Sequence, residues 1–138
     1  RAAGGGVDAR LDDPAYRALG FAPVVREGDD ALARLGVRLA ELDHSLDLIG
    51  AAGSLAADPP AQGGWAGATG HGAATLETPR GAATLHLALD GGIVRTIALD
   101  TPSTAHAGLV PAVAEGRELA DALAGVASLD LSPWELDR

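Results

Sequence analysis

The chain has 138 residues, a formal net charge of −9 and no cysteine. The acidic excess argues against nucleic-acid binding, because phosphates require a basic protein surface, and against direct adhesion to an anionic membrane face. The absence of cysteine excludes disulfides, thiolate nucleophiles and cysteine-ligated clusters.

The first predicted elements are short. Residues 1–7 are rich in glycine and are expected to be extended or loose. Asp13-Pro14 is typical of an N-cap followed by proline in the first helical turn, so it predicts a short helix that Gly20 ends. A connector over 21–28 follows.

The strongest periodic signal predicts a long helix behind Asp29-Asp30 that ends near Gly50 or Gly53. Apolar residues there are spaced alternately by three and four positions, which places them on one helical face. They are Leu32, Leu35, Leu39, Leu42, Leu46 and Ile49. The opposite face carries Arg34, Arg38, Glu41 and Asp47.

The middle of the chain predicts a loop and a small sheet. Residues 54–72 are rich in glycine and proline, which favours a mobile loop. Apolar and polar residues alternate over 84–89 and 93–99, which predicts two antiparallel strands. Asp90-Gly91-Gly92 predicts the hairpin turn between them, because glycine adopts the positive φ that such turns require. Residues 73–76 are compatible with a third strand.

Two shorter helices are predicted near 105–114 and 118–126, and Pro111 is expected to kink or end the first. The expected fold class is therefore α+β, with one long amphipathic helix, shorter helices and a small antiparallel hairpin sheet. Aromatic residues are only 3% of the chain, so the core should be thin and should need apolar surface from a partner.

No free-standing catalytic motif is visible. The four histidines, His44, His71, His86 and His106, do not have the spacing of metal ligands. For His44 a solvated or capping position is favoured over a ligand, and for His86 an ordinary sheet position; the context of His71 is uninformative. Gly4-Gly5-Gly6 lacks the Lys-Ser/Thr of a phosphate loop.

Several short motifs acquire meaning from their order. They are Glu77-Thr78-Pro79-Arg80-Gly81, the Asp-Gly hairpin, Pro102-Ser103-Thr104-Ala105-His106, Ser128-Leu129-Asp130 and Asp137-Arg138. In this order they resemble the C-terminal part of the family that contains nickel–iron hydrogenase large subunits and their descendant in NADH:quinone oxidoreductase (complex I). Gly6-Val7-Asp8-Ala9-Arg10 and the long helix are also similar. The resemblance implies that residues 1–138 are the C-terminal portion of a larger, hydrogenase-large-subunit-like domain whose N-terminal part is missing.

The departures from the family pattern favour the complex I branch. Hydrogenases of the family hold nickel and iron with a terminal Asp-Pro-Cys-x-x-Cys motif, and here Ser132 and Glu135 stand at the cysteine positions. A hydroxyl and a carboxylate cannot replace bridging thiolates, so we expect no metal on this chain. Glu135 matches the acidic residue usual in the complex I subunit. Leu131 and Thr104 depart from the family pattern and suggest a divergent paralogue.

The resemblance also implies a site. In the complex I branch the former metal cavity is the inner part of a quinone pocket beside an iron–sulfur cluster of a neighbouring subunit. Glu135 and Asp137 would face or support this cavity, with Arg80 and Arg138 as their candidate charge partners. The further candidates for the quinone cavity are Glu77, His106 and Asp130. The alternative is that the pairs Glu77–Arg80 and Asp137–Arg138 only lock loops and the chain end, and that His106 caps or packs.

The implied function is that of a peripheral-arm subunit of an NADH:quinone oxidoreductase-type complex, an electron-transport translocase acting on NAD(P)H with quinone as acceptor. The chain itself would bind no cofactor and would not be active alone. Quinone would be its substrate, and a neighbouring subunit would carry a 4Fe-4S cluster. The arm would lie on the cytoplasmic side of the inner membrane, attached through partner subunits. The alternative is a non-catalytic scaffold subunit of a membrane-bound nickel–iron hydrogenase-like complex; the missing cysteines argue against a hydrogenase itself.

Overall fold

The computed structural model describes residues 1–53 and 64–137, and helices beside an antiparallel sheet confirm the α+β class. The helices are α1 (Pro14–Ala18), α2 (Ala31–Ala52), α3 (Pro102–Ala107), α4 (Val110–Ala114), α5 (Leu119–Ser128) and α6 (Pro133–Leu136). The strands are β1 (Gly70–Thr78), β2 (Gly81–Asp90) and β3 (Ile93–Asp100), and a 3-10 turn spans Ala9–Asp12. Of the loop predicted over 54–72, residues 54–63 lie outside the described residues, and β1 begins at its end.

Backbone hydrogen bonds hold the N-terminal residues, which include a turn at 2–3, along the segment before α2. Gly4 donates its N–H to the carbonyl of Arg26 at 2.9 Å, and Arg26 donates to the carbonyl of Arg1 at 3.1 Å. Asp29 donates in the same way to Ala2 at 3.1 Å. This pairing carries the Arg1 side chain inward, towards the charged face of α2.

Helix α2 has the predicted limits but an unexpected orientation. The Asp30 side chain accepts a hydrogen bond from the N–H of Ala33 at 2.7 Å, and Gly53 with φ of 59° ends the helix. The six leucine and isoleucine side chains of the periodic stripe, which we call the leucine stripe, are all 50–74% exposed. The two residues that α2 buries are Val37 and Leu48. The helix therefore turns its charged face towards the rest of the chain.

The sheet has the order β1-β2-β3 and one apolar face. Directly opposite residues of antiparallel strands lie on the same face, so the pairings of Leu85 with Ala74 and Leu99 place these side chains together. A bulge after Ala88 shifts the register so that Val94 also joins this face. Across the strands its exposed members are Leu76, Leu85, Val94, Ile97 and Leu99. The predicted hairpin is present, with positive φ at Gly91 and Gly92.

The C-terminal helices differ from the prediction over 105–114. Two helices occupy this region, because α3 already ends at Ala107, and Pro111 lies in the first turn of α4, where a missing N–H breaks no helical bond. Helix α5 packs on α4 so closely that a Cβ on Gly125 would lie 2.7 Å from the carbonyl oxygen of Val113. Within the described ranges, no helix is long and apolar enough to cross a membrane.

Candidate functional site

The turn between β1 and β2 positions Arg80. The Thr78 hydroxyl donates to the carbonyl of Gly81 at 2.8 Å and accepts a hydrogen bond from the N–H of Arg80 at 3.3 Å, which closes the turn. Gly81 has a φ of 140°, and a Cβ there would lie 3.5 Å from the ring of Pro102 at the start of α3. The turn therefore lies against α3, and its arginine points to the segments that follow α5.

Arg80 joins two acidic residues from the end of the chain. Its Nε donates to the carbonyl oxygen of Asp130 at 3.0 Å and lies 3.3 Å from Oδ2 of the same residue. Its Nη1 lies 3.6 Å from Oε1 of Glu135. Asp130 adopts a left-handed backbone with φ of 54°, which turns the chain after α5, and its Oδ2 is also 3.7 Å from Nη2 of Arg38. The contact with Glu135 is a single ion pair and not a bidentate one.

Glu135 is fixed by the start of α3. Its Oε2 accepts a hydrogen bond from the N–H of Ser103 at 3.1 Å, and its carbonyl accepts one from the Thr101 hydroxyl at 3.2 Å. Ser103 is fully buried, and its Oγ accepts a hydrogen bond from the N–H of Ser132 at 3.0 Å. Hydrogen bonding from the Ser103 side chain is the main cause that lowers the pKa of Glu135, assisted by the Arg80 guanidinium. Glu135 is therefore an ionised anchor at neutral pH.

A second charged cluster lies between the N-terminal segment and β1. Arg1 contacts the Asp8 carboxylate, which is buried, and its Nη1 lies 3.1 Å from Oε1 of Glu77. Glu77 also accepts a hydrogen bond from the N–H of Ala9 at 3.0 Å. Arg10 binds Asp8 through both Nε and Nη2, at 2.9 and 2.7 Å. Burial alone would raise the pKa of Asp8, but the hydrogen bonds from Arg10 outweigh it and the pKa is lowered.

An open cavity of about 760 Å³ is lined by residues from both charged clusters. Arg34, Arg38 and Glu41 of the charged face of α2 contribute to the lining, together with Arg80 and His106. Apolar residues of α4 and α5 complete it. The Nδ1 atom of His106 is buried and has no hydrogen-bond partner among the residues that the structure describes. The cavity thus combines apolar surface with many ionisable side chains, more than the few polar groups of a typical small-molecule site.

The predicted site residues fall into separate places. Arg80, Asp130 and Glu135 come together, whereas Glu77 pairs with Arg1 and not with Arg80. Asp137 is exposed, and its N–H donates to the carbonyl of Pro133 at 2.9 Å. The predicted contribution of Arg138 concerns a residue outside the described part of the chain.

The sequence did not single out the contributions of Arg1, Ser103 and Arg38. Ser103 stood within a recognised motif, but a serine in a helix start is usually only a cap, so its burial against Glu135 was not apparent. Arg38 was placed on the polar face of α2, which we expected to be opposite the apolar packing face. Within residues 1–53 and 64–137, no group of three or more His, Cys, Asp or Glu side chains is arranged to hold a metal ion.

The fold is shared with subunits of respiratory redox complexes. The chain superposes over its whole length on 41% of a chain in the structure of the membrane-bound sulfane sulfur reductase (MBS), an archaeal respiratory membrane complex, with a TM-score of 0.85 and 30% sequence identity. It is 32% identical over 138 residues to an NADH-quinone oxidoreductase subunit of Geobacillus thermodenitrificans (strain NG80-2), covering 94% of this chain and 38% of that protein. Residues 60–138 match the family described as the 49-kDa subunit of respiratory-chain NADH dehydrogenase.

The chain belongs to this family of NADH dehydrogenase subunits, which confirms the family resemblance and the assignment to complex I-like electron-transport oxidoreductases. It spans about two-fifths of the length of these two relatives. Its relatives are subunits of larger respiratory complexes, one of them membrane-bound by name.

Proposed function

We propose that this chain is the C-terminal portion of a subunit of an NADH:quinone oxidoreductase-type complex, and that its cavity forms the inner wall of the site where quinone is reduced. The observation that carries the proposal is the cluster of Arg80, Asp130 and Glu135 beside the cavity. Arg80 lines the cavity and is paired with these two carboxylates, neither of which is part of the lining.

The chemistry of quinone reduction fits such a wall. The reduced head group carries negative charge on oxygen until protons arrive, and a preorganised guanidinium stabilises that charge without reorganisation. Arg80 is preorganised, because its Nε is bound to Asp130 and its Nη1 lies near Glu135. Glu135 has a lowered pKa and therefore keeps its charge and its hold on Arg80.

The electrons come from outside this chain under the proposal. The sequence contains no cysteine, so this chain does not hold the 4Fe-4S cluster that donates the electrons, and the proposal assigns the cluster to a neighbouring subunit of the peripheral arm. The arm lies on the cytoplasmic side of the inner membrane and is attached to it through partner subunits. This chain contributes charge and shape at the acceptor end.

The exposed leucine stripe supports a larger subunit. Only three large apolar residues, Val37, Leu48 and Leu129, are buried among the described residues, which is a small core for a chain of this length. Both relatives continue for more than the length of this chain beyond the matched region. We assign the covering of the stripe to that remaining part of the subunit. Its spacing of 3.5 residues fits a helix that packs alongside α2 at a small angle.

A photoreactive quinone analogue tests the proposal in the assembled complex with its full-length subunit. We expect covalent labelling of peptides that contain Arg80 or His106, and suppression of the labelling by excess quinone. Labelling confined to other subunits, together with an Arg80→Ala complex that assembles and reduces quinone normally, would instead show a scaffold subunit.

A second acceptor is favoured by one comparison. The structural relative is named a sulfane sulfur reductase, and it matches the whole of this chain. An arginine-lined cavity also suits an anionic sulfur compound. Acceptor-dependent oxidation of the electron donor, measured separately with quinone and with polysulfide, distinguishes the two functions: activity with polysulfide alone contradicts the quinone assignment.

A further inference from the structure

Glu41 differs from the other acidic residues at the cavity. It lies on the charged face of α2, its side chain is 16% exposed, and it lines the cavity together with Arg1 and Arg38. It is thus largely removed from water and still borders the space that a bound molecule would fill.

The surroundings of Glu41 contain more carboxylates than guanidinium groups. Its cluster combines the carboxylates of Asp8, Glu41 and Glu77 with the side chains of Arg1 and Arg10. With all five groups ionised, the cluster carries one excess negative charge. Charge of this kind is costly away from water and is relieved when one carboxylate takes up a proton.

The hydrogen bonds of the three carboxylates indicate which of them takes up the proton. Asp8 receives hydrogen bonds from Arg10, and Glu77 receives one from the N–H of Ala9. Oε1 of Glu41 lies 3.1 Å from Nε of Arg1 and 3.7 Å from Nη2 of Arg10, but neither contact has hydrogen-bond geometry. This buried oxygen has no hydrogen-bond partner among the described residues.

We propose that Glu41 is the carboxyl group that exchanges a proton with the molecule bound in the cavity, while Glu135 remains ionised and holds Arg80. This inference rests on the proposed function and names the group that supplies a proton at that site. Glu41 lies on α2 and Arg80 in the β1–β2 turn, so the proton-exchanging and charge-stabilising roles belong to different elements that line the same cavity.

The electrostatics support the same division. Burial raises the pKa of Glu41; Arg1 and Arg10 lower it, Asp8 and Glu77 raise it further, and the net pKa is raised. The pKa of Glu135 is lowered. Among the described residues, ionisable side chains also lie one turn away from Glu41 on α2 in both directions: His44, which stacks on Phe21, and Arg38, which lines the cavity and pairs with Asp130.

The proton step balances with the two electrons that the iron–sulfur cluster of the neighbouring subunit supplies. Quinone accepts two electrons and two protons to give quinol. The O–H bond of the Glu41 carboxyl breaks and its proton forms a new O–H bond on the reduced head group, while water supplies the second proton. The Glu41 carboxylate then regains a proton from water through the open side of the cavity.

The test compares Glu41→Gln, Glu41→Asp and the exposed-surface control Glu115→Gln in the assembled complex. Quinone reduction by the unaltered complex should fall as pH rises through the raised pKa of Glu41. Glu41→Gln should reduce turnover at least tenfold and remove this pH-dependent decrease in rate.

Glu41→Asp should keep the decrease but shift it to another pH. The control Glu115→Gln should leave both the rate and its pH dependence unchanged. Glu135→Gln should lower turnover and keep the pH-dependent decrease. A pH step that persists in Glu41→Gln overturns the inference.

Two further measurements separate this inference from the proposed function. Glu41→Gln should still be labelled by the photoreactive quinone, because Arg80 is intact. The infrared difference between unaltered and Glu41→Gln complexes should contain a protonated-carboxyl band that persists above the ordinary titration range of glutamate. Absence of this band overturns the role of Glu41 even where quinone labelling succeeds. A band without labelling of the unaltered complex supports the protonation of Glu41 and contradicts the quinone site.

Discussion

Nη1 of Arg80 lies 3.6 Å from Oε1 of Glu135, and this contact ties the β1–β2 turn to the last helix of the described chain. The same guanidinium donates to the carbonyl of Asp130, so one side chain holds two successive segments of the chain end. The carboxylate of Glu135 is itself bound by the N–H of Ser103. Position 135 of this chain therefore carries a carboxylate that contacts an arginine.

The reach of Arg80 makes lysine an inadequate replacement. Lysine keeps the positive charge but lacks the planar fork that allows Arg80 to meet Asp130 and Glu135 together. We expect Arg80→Lys to lower quinone reduction about tenfold, a loss of about 1.4 kcal/mol in transition-state stabilisation, and Arg80→Ala to lower it further. Steady-state rates of the assembled complex provide the measurement.

The matched control for this arginine is Arg95, which makes an exposed ion pair with Asp90 at 2.9 Å next to the hairpin. Arg95→Lys should change neither turnover nor assembly, since exposed ion pairs contribute little. Equal effects of the lysine variants at both positions would contradict a specific role for Arg80.

Glu135→Gln should loosen the chain end from α3. The glutamine removes the negative charge of the carboxylate that accepts the N–H of Ser103, and a hydrogen bond to a charged group contributes about 1.5–3 kcal/mol. We expect faster hydrogen exchange at the amides of Ser103 and Ser132. Glu115→Gln, on an exposed residue, is the control, and unchanged exchange at Ser103 in Glu135→Gln would refute the anchoring role.

The anchoring by Glu135 should also depend on pH. Because the pKa of this carboxyl is lowered in the folded chain, its contribution to stability is fully present above the ordinary pKa of 4.5 and is lost as pH falls through the lower folded value. The protection factor of the Ser103 amide should therefore be constant from neutral pH down to about the ordinary pKa of 4.5. It should decrease as the pH falls further, towards the lower folded pKa. In Glu135→Gln the decrease should be absent.

The sequence predicted the elements better than their orientation. The hairpin and both ends of α2 follow from local signals, namely Gly91-Gly92 for the turn, and Asp30 and Gly53 for the helix caps. Which face of α2 is buried is not a local property. Periodicity located the leucine stripe but could not show that the stripe is exposed among the described residues.

The candidate site could be predicted only in part, because contacts between distant segments are not local properties of the sequence either. The order of the family motifs brought Arg80, Asp130 and Glu135 into one hypothesis, and the structure places them in contact. Glu77 is only three residues from Arg80, which suggested a pair, but successive residues of a strand and turn point in different directions. Its partner, Arg1, is distant in sequence, and long-range ion pairs leave no periodic signal.

The leucine stripe gives a prediction about assembly. Leu39 and Leu42 are 57% and 59% exposed on α2, and in the full-length subunit we expect the remaining part of that chain to cover them. Leu39→Glu with Leu42→Glu would then bury two charges, so the full-length subunit should become insoluble or fail to join the complex. Asp43→Asn, at an exposed position of the same helix, is the control. Normal assembly of the double variant would show that the stripe remains open to solvent.

Two glycines test the packing that forms the cavity wall. A Cβ at Gly125 of α5 would lie 2.7 Å from the carbonyl oxygen of Val113 and 3.2 Å from its Cβ, so Gly125→Ala must push α4 and α5 apart. We expect a loss of about 1–3 kcal/mol in the free energy of unfolding, larger than the helical preference for alanine. Gly50 of α2 has open space around it, and Gly50→Ala should stabilise the helix by about 0.5–1 kcal/mol. Thermal unfolding of the full-length subunit measures both.

Because Gly125 and Val113 line the cavity, Gly125→Ala should also weaken labelling by the quinone analogue, whereas Gly50→Ala should not. Equal labelling of the two variants would contradict a contribution of the α4–α5 contact to the acceptor site.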